Sequence, residues 1–258
     1  MAIANQKGGV AKTTTAVTLA AALVERGKSV LVVDLDAQAC ATFSLGIDPE
    51  DLHDRDSIAV LLDEADANAH SQALRSAVRL TDDGVHVIPA TMRIAAADLE
   101  LAKRPGRESV LARALGPVAS DFDFVLMDCS PSLGLLTINA LVAAGEVLVP
   151  LKCETLSHRG LGQLMETIDD VRRWANPKLA VAGLVPTLFD GRTAHAQAVL
   201  VDLQPRYGVT VFDPIPRSVR FAEAPAVGRS ILATSPRSAG ARAYRALAQE
   251  VLASPPLE

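Results

Sequence analysis

The stretch Ala4-Asn5-Gln6-Lys7-Gly8-Gly9-Val10-Ala11-Lys12-Thr13-Thr14 stands between a short apolar run and a segment rich in Ala, Thr and Leu. An apolar run, a glycine pair, a Lys-Thr step and a helical stretch, in that order, describe a strand–loop–helix unit whose loop can grip an anion. Glycines let the backbone curl until several N–H groups face one point, and the helix N-terminus adds the positive end of its dipole. In such a loop Lys12 reaches the β- and γ-phosphates of a nucleotide while the Thr13 hydroxyl holds Mg²⁺. The common pattern G-x-x-x-x-G-K-[ST] is not met. Gln6 and Ala11 occupy its two glycine positions, and an additional lysine, Lys7, stands at the start of the loop.

Outward from the loop, short Val/Ile/Leu runs alternate with longer stretches of helical period, as in a parallel sheet with crossover helices. Strands are expected at 2–5, 29–34, 85–88, 124–128, 146–150, 180–185 and 209–212. Helices are expected at 13–26, 94–101, 109–118, 135–144, 160–174, 194–203 and 239–252. Runs such as Val30-Leu31-Val32-Val33 lack polar alternation, which fits strands covered on both faces. Gly27 stands where the first helix should stop. Residues 46–84 read as short helices and loops. No repeat or low-complexity linker divides the chain, so one α/β domain over 1–253 is expected, followed by a frayed tail at 254–258.

Composition narrows the function. With 258 residues, 49% hydrophobic and 21% charged, the chain is neither disordered nor collagen-like. Aromatic residues are only 3%, too few for a base-stacking surface of the single-strand type. Cys40, Cys129 and Cys153 lie far apart, against a disulfide framework, a zinc ribbon or an iron–sulfur site and in keeping with a reducing cytosol. The first residues lack the basic-then-apolar pattern of a secretion signal, and Thr18 and Glu25-Arg26 interrupt the longest apolar stretch, so a cytoplasmic protein is expected. The net charge of −5 is uneven: residues 190–245 hold eight arginines against four acidic residues. Such a cluster is either solvated surface or a phosphate-binding patch, and the count alone does not choose.

Three carboxylates stand out. Asp34 and Asp36 fall at the end of the second expected strand, the edge where α/β sheets bind ligands. An isolated Asp-x-Asp ordinarily ends a strand in an exposed turn, but beside a phosphate loop the pair becomes a candidate for metal or water. Asp128 follows Phe124-Val125-Leu126-Met127, the Walker-B arrangement, in which a carboxylate holds Mg²⁺ directly or through its water. Residues 130–134 then suit a switch loop that senses the γ-phosphate. His86, His158 and His195 have no metal-ligand spacing, and no histidine base sits near Cys129 in sequence.

The loop with its extra lysine resembles the deviant phosphate loop of the ParA/MinD class of P-loop ATPases. Further stretches are similar to the Soj-like ParA partition branch: Val33-Asp34-Leu35-Asp36-Ala37-Gln38, Met127-Asp128-Cys129-Ser130-Pro131-Ser132-Leu133-Gly134, Ile138-Asn139-Ala140-Leu141 and Ile215-Pro216-Arg217-Ser218-Val219-Arg220-Phe221-Ala222-Glu223-Ala224-Pro225. Together they span nearly the whole chain. The resemblance implies a P-loop NTPase fold, mostly parallel and twisted with helices on both faces, and an ATPase that turns ATP into ADP and phosphate with Mg²⁺. It implies catalytic roles for Lys7, Lys12 and Asp36, with Lys7 reaching the phosphate of the partner in an ATP-bound homodimer. Nucleotide contacts are implied for Lys7, Gly8, Gly9, Val10, Ala11, Lys12, Thr13 and Thr14, with the base near Pro216 and Arg217. Metal contacts are implied for Thr13, Asp36 and Asp128. Arg192 and Arg220 are implied in sequence-independent binding of double-stranded DNA, and a ParB-like protein in stimulating hydrolysis, in a nucleoid-associated cytoplasmic protein that partitions chromosome or plasmid. The residues themselves do not decide adenine over guanine.

Several positions depart from that pattern. Ala11 replaces glycine, Ala37, Ala39 and Cys40 replace Pro, Gly and Asn, Ser130 replaces Pro, and Arg159 stands where an acidic or neutral residue is usual. A MinD-like membrane-positioning ATPase is the alternative. It calls for a basic amphipathic C-terminal helix, whereas 239–252 carries Glu250 and runs into Ser-Pro-Pro. An iron–sulfur carrier of the same fold would need clustered cysteines, and a non-enzymatic DNA-binding module would leave Lys7, Lys12, Asp36 and Asp128 without a purpose.

Overall fold

The computed structural model describes residues 1–63, 66–154 and 157–253, without the side chains of 157–159. The expected tail at 254–258 and the side chains of His158 and Arg159 lie outside the described residues. In chain order the elements are β1 (Ala2–Ile3), α1 (Lys12–Val24), β2 (Val30–Leu35), α2 (Cys40–Ser44), α3 (Ala67–Ala77), β3 (Arg79–Leu80), β4 (His86–Ile88), α4 (Ala97–Leu101), α5 (Val110–Ala119) and β5 (Phe124–Cys129). There follow α6 (Leu135–Ala143), β6 (Glu146–Lys152), α7 (Ser157–Trp174), β7 (Ala180–Thr187), α8 (Ala194–Tyr207), α9 (Arg220–Glu223), α10 (Ile231–Thr234) and α11 (Ala239–Ala253), with short 3₁₀ turns between some of them.

The seven strands form one sheet in the order β3-β4-β2-β5-β1-β6-β7, parallel except for the antiparallel pair β3–β4. Side chains alternate across the sheet. Leu31, Val33, Met127, Val147 and Val149 face α3, α5, α6 and α7 on one side. Val30, Val32, Leu126 and Leu148 face α1 and α11 on the other. Helix α1 is enclosed between sheet and α11, with Ala16, Leu19, Ala20 and Leu23 fully buried, and each buried leucine contributes ~1.5–3 kcal/mol. Its Thr15 hydroxyl pairs with the buried Tyr244 hydroxyl of α11 at 2.9 Å. Among the described residues no helix is long and apolar enough to cross a membrane.

The expected one-domain, doubly covered, mostly parallel sheet is present. The expected strand at 209–212 is not: Val211 makes only a single bridge pair, with Leu184. The pairing is limited to the Leu184 N–H donating to the Thr210 carbonyl (2.8 Å) and the Phe212 N–H donating to the Leu184 carbonyl (2.9 Å), while the Phe212 ring occupies the space that a Gly183 side chain would take. The seventh strand is instead the two-residue edge β3, whose flanks give no period-two signal. The first strand is shorter than expected, ending at Ile3, while β6 and β7 run on to Lys152 and Thr187. The expected helix at 94–101 begins as a 3₁₀ turn, Met92–Ala96, before α4.

Candidate functional site

The carboxyl ends of β1, β2 and β5 converge because Asp128 is the register partner of both Ile3 and Asp34. The quoted loop leaves β1 here. Its Asn5 side chain accepts a hydrogen bond from the Lys7 N–H at 3.0 Å and donates to the Pro150 carbonyl at 2.8 Å, which ties the loop to β6. Gly9 and Ala11 both take the left-handed conformation, at φ 67° and 63°. Ala11 is the N-cap of α1, and its own carbonyl accepts from the Thr15 N–H at 2.9 Å. A Cβ on Gly8 would stand 4.0 Å from Pro131, so Pro131 borders the loop.

Lys12 is only 7% exposed, and its ammonium donates to the Lys7 carbonyl at 3.3 Å. Burial lowers its pKa, and the negative charge of Asp128 opposes that most strongly. Asp128 is 1% exposed, and neither of its oxygens has a hydrogen-bond partner among the described residues. Burial and the neighbouring Asp34 push its pKa well above the usual carboxylate value; Thr13 and Lys12 lie close enough to offset part of this, although neither bonds it with normal geometry. Gln6 Oε1 is a second buried acceptor at the loop without a partner. Orphaned acceptors of this kind are rare in proteins and mark a place where a ligand or ion belongs. A hydroxyl, a buried ammonium and an unpaired carboxylate at a glycine-loop helix N-terminus suit a magnesium–polyphosphate pair.

Asp34 and Asp36 separate in role. Asp34 is fully buried and accepts from the Thr42 N–H (2.8 Å), the Thr42 hydroxyl (2.7 Å) and the Asp36 N–H (3.1 Å). Burial raises its pKa to about 6 while the Thr42 bonds hold it down. It anchors the turn that carries Asp36, and Asp36, half-buried in a small hollow with Ser130 and Ser132, accepts from the Gln38 N–H at 3.0 Å. Ala39, in the left-handed conformation at φ 50°, then starts α2.

Lys7 does not lie free. Its ammonium pairs with Glu154 at 2.6 Å, a residue that sequence reasoning missed because it lies 147 positions away. Arg217 and Glu154 line a cleft of about 540 Å³ together with Lys152, Cys153, Phe189 and Asp190. The Pro216–Arg217 segment is held there by Phe189, whose N–H donates to the Ile215 carbonyl (3.0 Å) and whose carbonyl accepts from the Arg217 N–H (3.1 Å). Thr14 lies beside it, lining a small hollow with Ala11, Thr187, Ile215 and Phe221. Arg192, 89% exposed, forms a forked pair with Asp190 at 2.8 and 2.7 Å. Arg220 pairs with Glu223 at 2.7 Å on α9 and takes no part in the loop or cleft contacts.

A family model described as an AAA domain matches residues 1–181. The chain is 44% identical over 254 residues to the chromosome-partitioning ATPase Soj of Thermus thermophilus, covering 98% of this chain and 95% of that protein. It is 40% identical over 252 residues to the chromosome partitioning protein ParA of Myxococcus xanthus, covering 97% of this chain and 86% of that one. Among solved structures, a Mycobacterium smegmatis protein described as cobyrinic acid a,c-diamide synthase, with bound ADP and magnesium, is similar at TM-score 0.80 and 45% identity, covering 97% of this chain and 92% of that chain.

Proposed function

The chain belongs to the Soj/ParA family of chromosome-partitioning ATPases, and from that membership we propose that it is a DNA-segregation ATPase. Its ATP-bound homodimer holds double-stranded DNA regardless of sequence and releases it after hydrolysis to ADP and phosphate. The observation that carries this reading is the buried ammonium of Lys12 close to Asp128, a buried carboxylate with no hydrogen-bond partner among the described residues, beside Thr13.

In this reading the backbone of Gly8, Gly9, Val10 and Ala11 faces the phosphates, Lys12 holds the terminal phosphates, and Thr14 and the Pro216–Arg217 segment border the nucleoside. Thr13, Asp128 and Asp36 would hold Mg²⁺, which when bound would offset the negative charge of the phosphates. Asp36 accepts a hydrogen bond from the water that attacks and so orients it. Lys7 exchanges its Glu154 partner for a phosphate of the facing protomer, adding positive charge where the transferring group becomes most negative. Arg192 and Arg220 contact DNA phosphates. Each carries a local acid, so binding is weak per arginine, doubled by dimerisation and steeply salt-dependent. A ParB-like partner stimulates hydrolysis, and the protein works in the cytoplasm at the nucleoid.

Two other readings are less well supported. A MinD-like membrane ATPase would use an exposed amphipathic helix, and the apolar face of α11 (Tyr244, Leu247, Ala248, Val251) is instead packed against α1 and the sheet. The name of the Mycobacterium smegmatis relative points to amide synthesis. The Thermus thermophilus and Myxococcus xanthus relatives, matched over nearly the whole chain, are instead named for chromosome partitioning. The test is co-sedimentation with nonspecific duplex DNA at low salt. ATP should promote retention by the wild type, not by Lys12→Ala, and less by Arg192→Ala and Arg220→Ala; retention indifferent to ATP and to all three changes would sink the reading.

A further inference from the structure

We propose that Thr187, the last residue of β7, is a positioning residue for the phosphate loop: its hydroxyl holds the Val10 carbonyl and so keeps Ala11 in the left-handed conformation from which α1 begins. The inference rests on the reading of this loop as the nucleotide site. Thr187 is 1% exposed, and its Oγ1 lies 2.9 Å from the Val10 carbonyl oxygen and 3.0 Å from that of Leu151. A hydroxyl has one proton, so these two carbonyls share it, and both belong to residues buried from water.

The consequence falls on Ala11. The peptide before it is pinned by Thr187 through the Val10 carbonyl, and the peptide after it is pinned by the Thr15 N–H, which donates to the Ala11 carbonyl at 2.9 Å. With both neighbouring peptide planes held, φ and ψ of Ala11 have little freedom, and they settle at 63° and 35°. That region strains any residue with a Cβ, whereas glycine enters it freely. An alanine at this point therefore needs an external brace that a glycine would not. Thr187 is suited to supply one because its direction is set by β7, a rigid strand of the central sheet, rather than by the loop itself. The contact spans 177 residues and also fixes the loop against the hollow shared by Ala11, Leu188 and Ile215.

The test is titration calorimetry of the full chain with Mg-ADP, alongside thermal unfolding without nucleotide. Thr187→Val keeps the shape and removes the hydroxyl; it should weaken Mg-ADP binding about five- to tenfold, the effect of one lost buried hydrogen bond. Thr187→Ser keeps the hydroxyl and should bind within about twofold of the wild type. In an Ala11→Gly background, Thr187→Val should cost less than about twofold, because glycine holds the conformation unaided. The proposal is overturned if Thr187→Val binds as the wild type does, if Thr187→Ser is equally impaired, or if the loss is the same with Gly at position 11. Should Thr187→Val fail to fold, the serine variant still decides: impaired binding by a folded Thr187→Ser overturns the proposal, and binding at the wild-type level supports it. No uptake by the wild type would overturn the nucleotide reading itself, an outcome distinct from these.

Discussion

Replacing Ala11 by glycine should stabilise the protein, an unusual direction for a substitution in a helix N-terminus. Ala11 sits at φ 63°, ψ 35°, where the Cβ of an L-residue costs about 1–2 kcal/mol. Against this, glycine loses more backbone entropy on folding, about 0.5–1 kcal/mol, and the half-buried methyl gives up part of ~0.8 kcal/mol of burial. The balance runs from about 0.8 kcal/mol against glycine to about 1.5 kcal/mol in its favour, centred a few tenths on glycine's side, so the sign depends on the strain. Unfolding entropy of ~2.1 cal/mol/K per residue makes 1 kcal/mol about 2 °C in Tm for a chain of this size. Gly27 supplies the control. It lies at φ 76° with nothing within 4 Å of an added Cβ, so Gly27→Ala measures the left-handed cost without a clash. Calorimetry of nucleotide-free protein should show Gly27→Ala lower in Tm by about 1–2 °C, the left-handed cost less the backbone entropy regained, and Ala11→Gly between about 2 °C below and about 3 °C above the wild type. A Gly27→Ala protein as stable as the wild type, or an Ala11→Gly protein that loses more than about 2 °C, would refute the reasoning.

Three further outcomes are expected. Asp128→Asn should raise the Tm of the nucleotide-free protein, since it removes a buried carboxylate without a partner, and should abolish the Mg²⁺ dependence of nucleotide stabilisation in the same melts. Thr42→Val should cost about 2–3 kcal/mol in urea unfolding, because the Thr42 hydroxyl donates to Asp34 and accepts from the Ala90 N–H, leaving two buried groups short of a partner. The Asp190 carboxyl, held to about 2 by Arg192 against an ordinary 3.8, should titrate there by NMR and return toward the ordinary value in Arg192→Ala. Its folded pKa is depressed, so whatever stability the pair adds is present above about pH 4 and lost as pH falls through about 2.

Local chemistry made much of the site readable. The glycine pair, Lys12 and Thr13 follow one another in the chain, and Asp128 ends an apolar run, so each signal is contained within a few residues. The local pattern showed Asp34 and Asp36 only as a pair, and the resemblance alone singled out Asp36: a strand-end Asp-x-Asp looks the same whether its first member is buried against Thr42 or not. The strand at 209–212 misled because apolar alternation marks a residue pattern suited to a sheet, not a neighbour able to pair with it. Here the segment meets β7 at one point only, around Leu184. Strand β3 left no trace because two residues are too few for any periodicity.

What the amino-acid order determined by itself was the sheet of alternating strands and helices, the loop that opens it, and the departure of alanine from glycine at positions 11 and 39, since these depend on neighbours along the chain. Whether those alanines adopt the left-handed backbone was open until the turns were seen, at φ 63° and 50°. The tertiary structure alone brought Glu154 to Lys7 and Thr187 to Val10, across 147 and 177 residues. Such contacts are selected by the closing of the sheet, where a strand end from one part of the chain meets a loop from another, and no local propensity encodes which will meet.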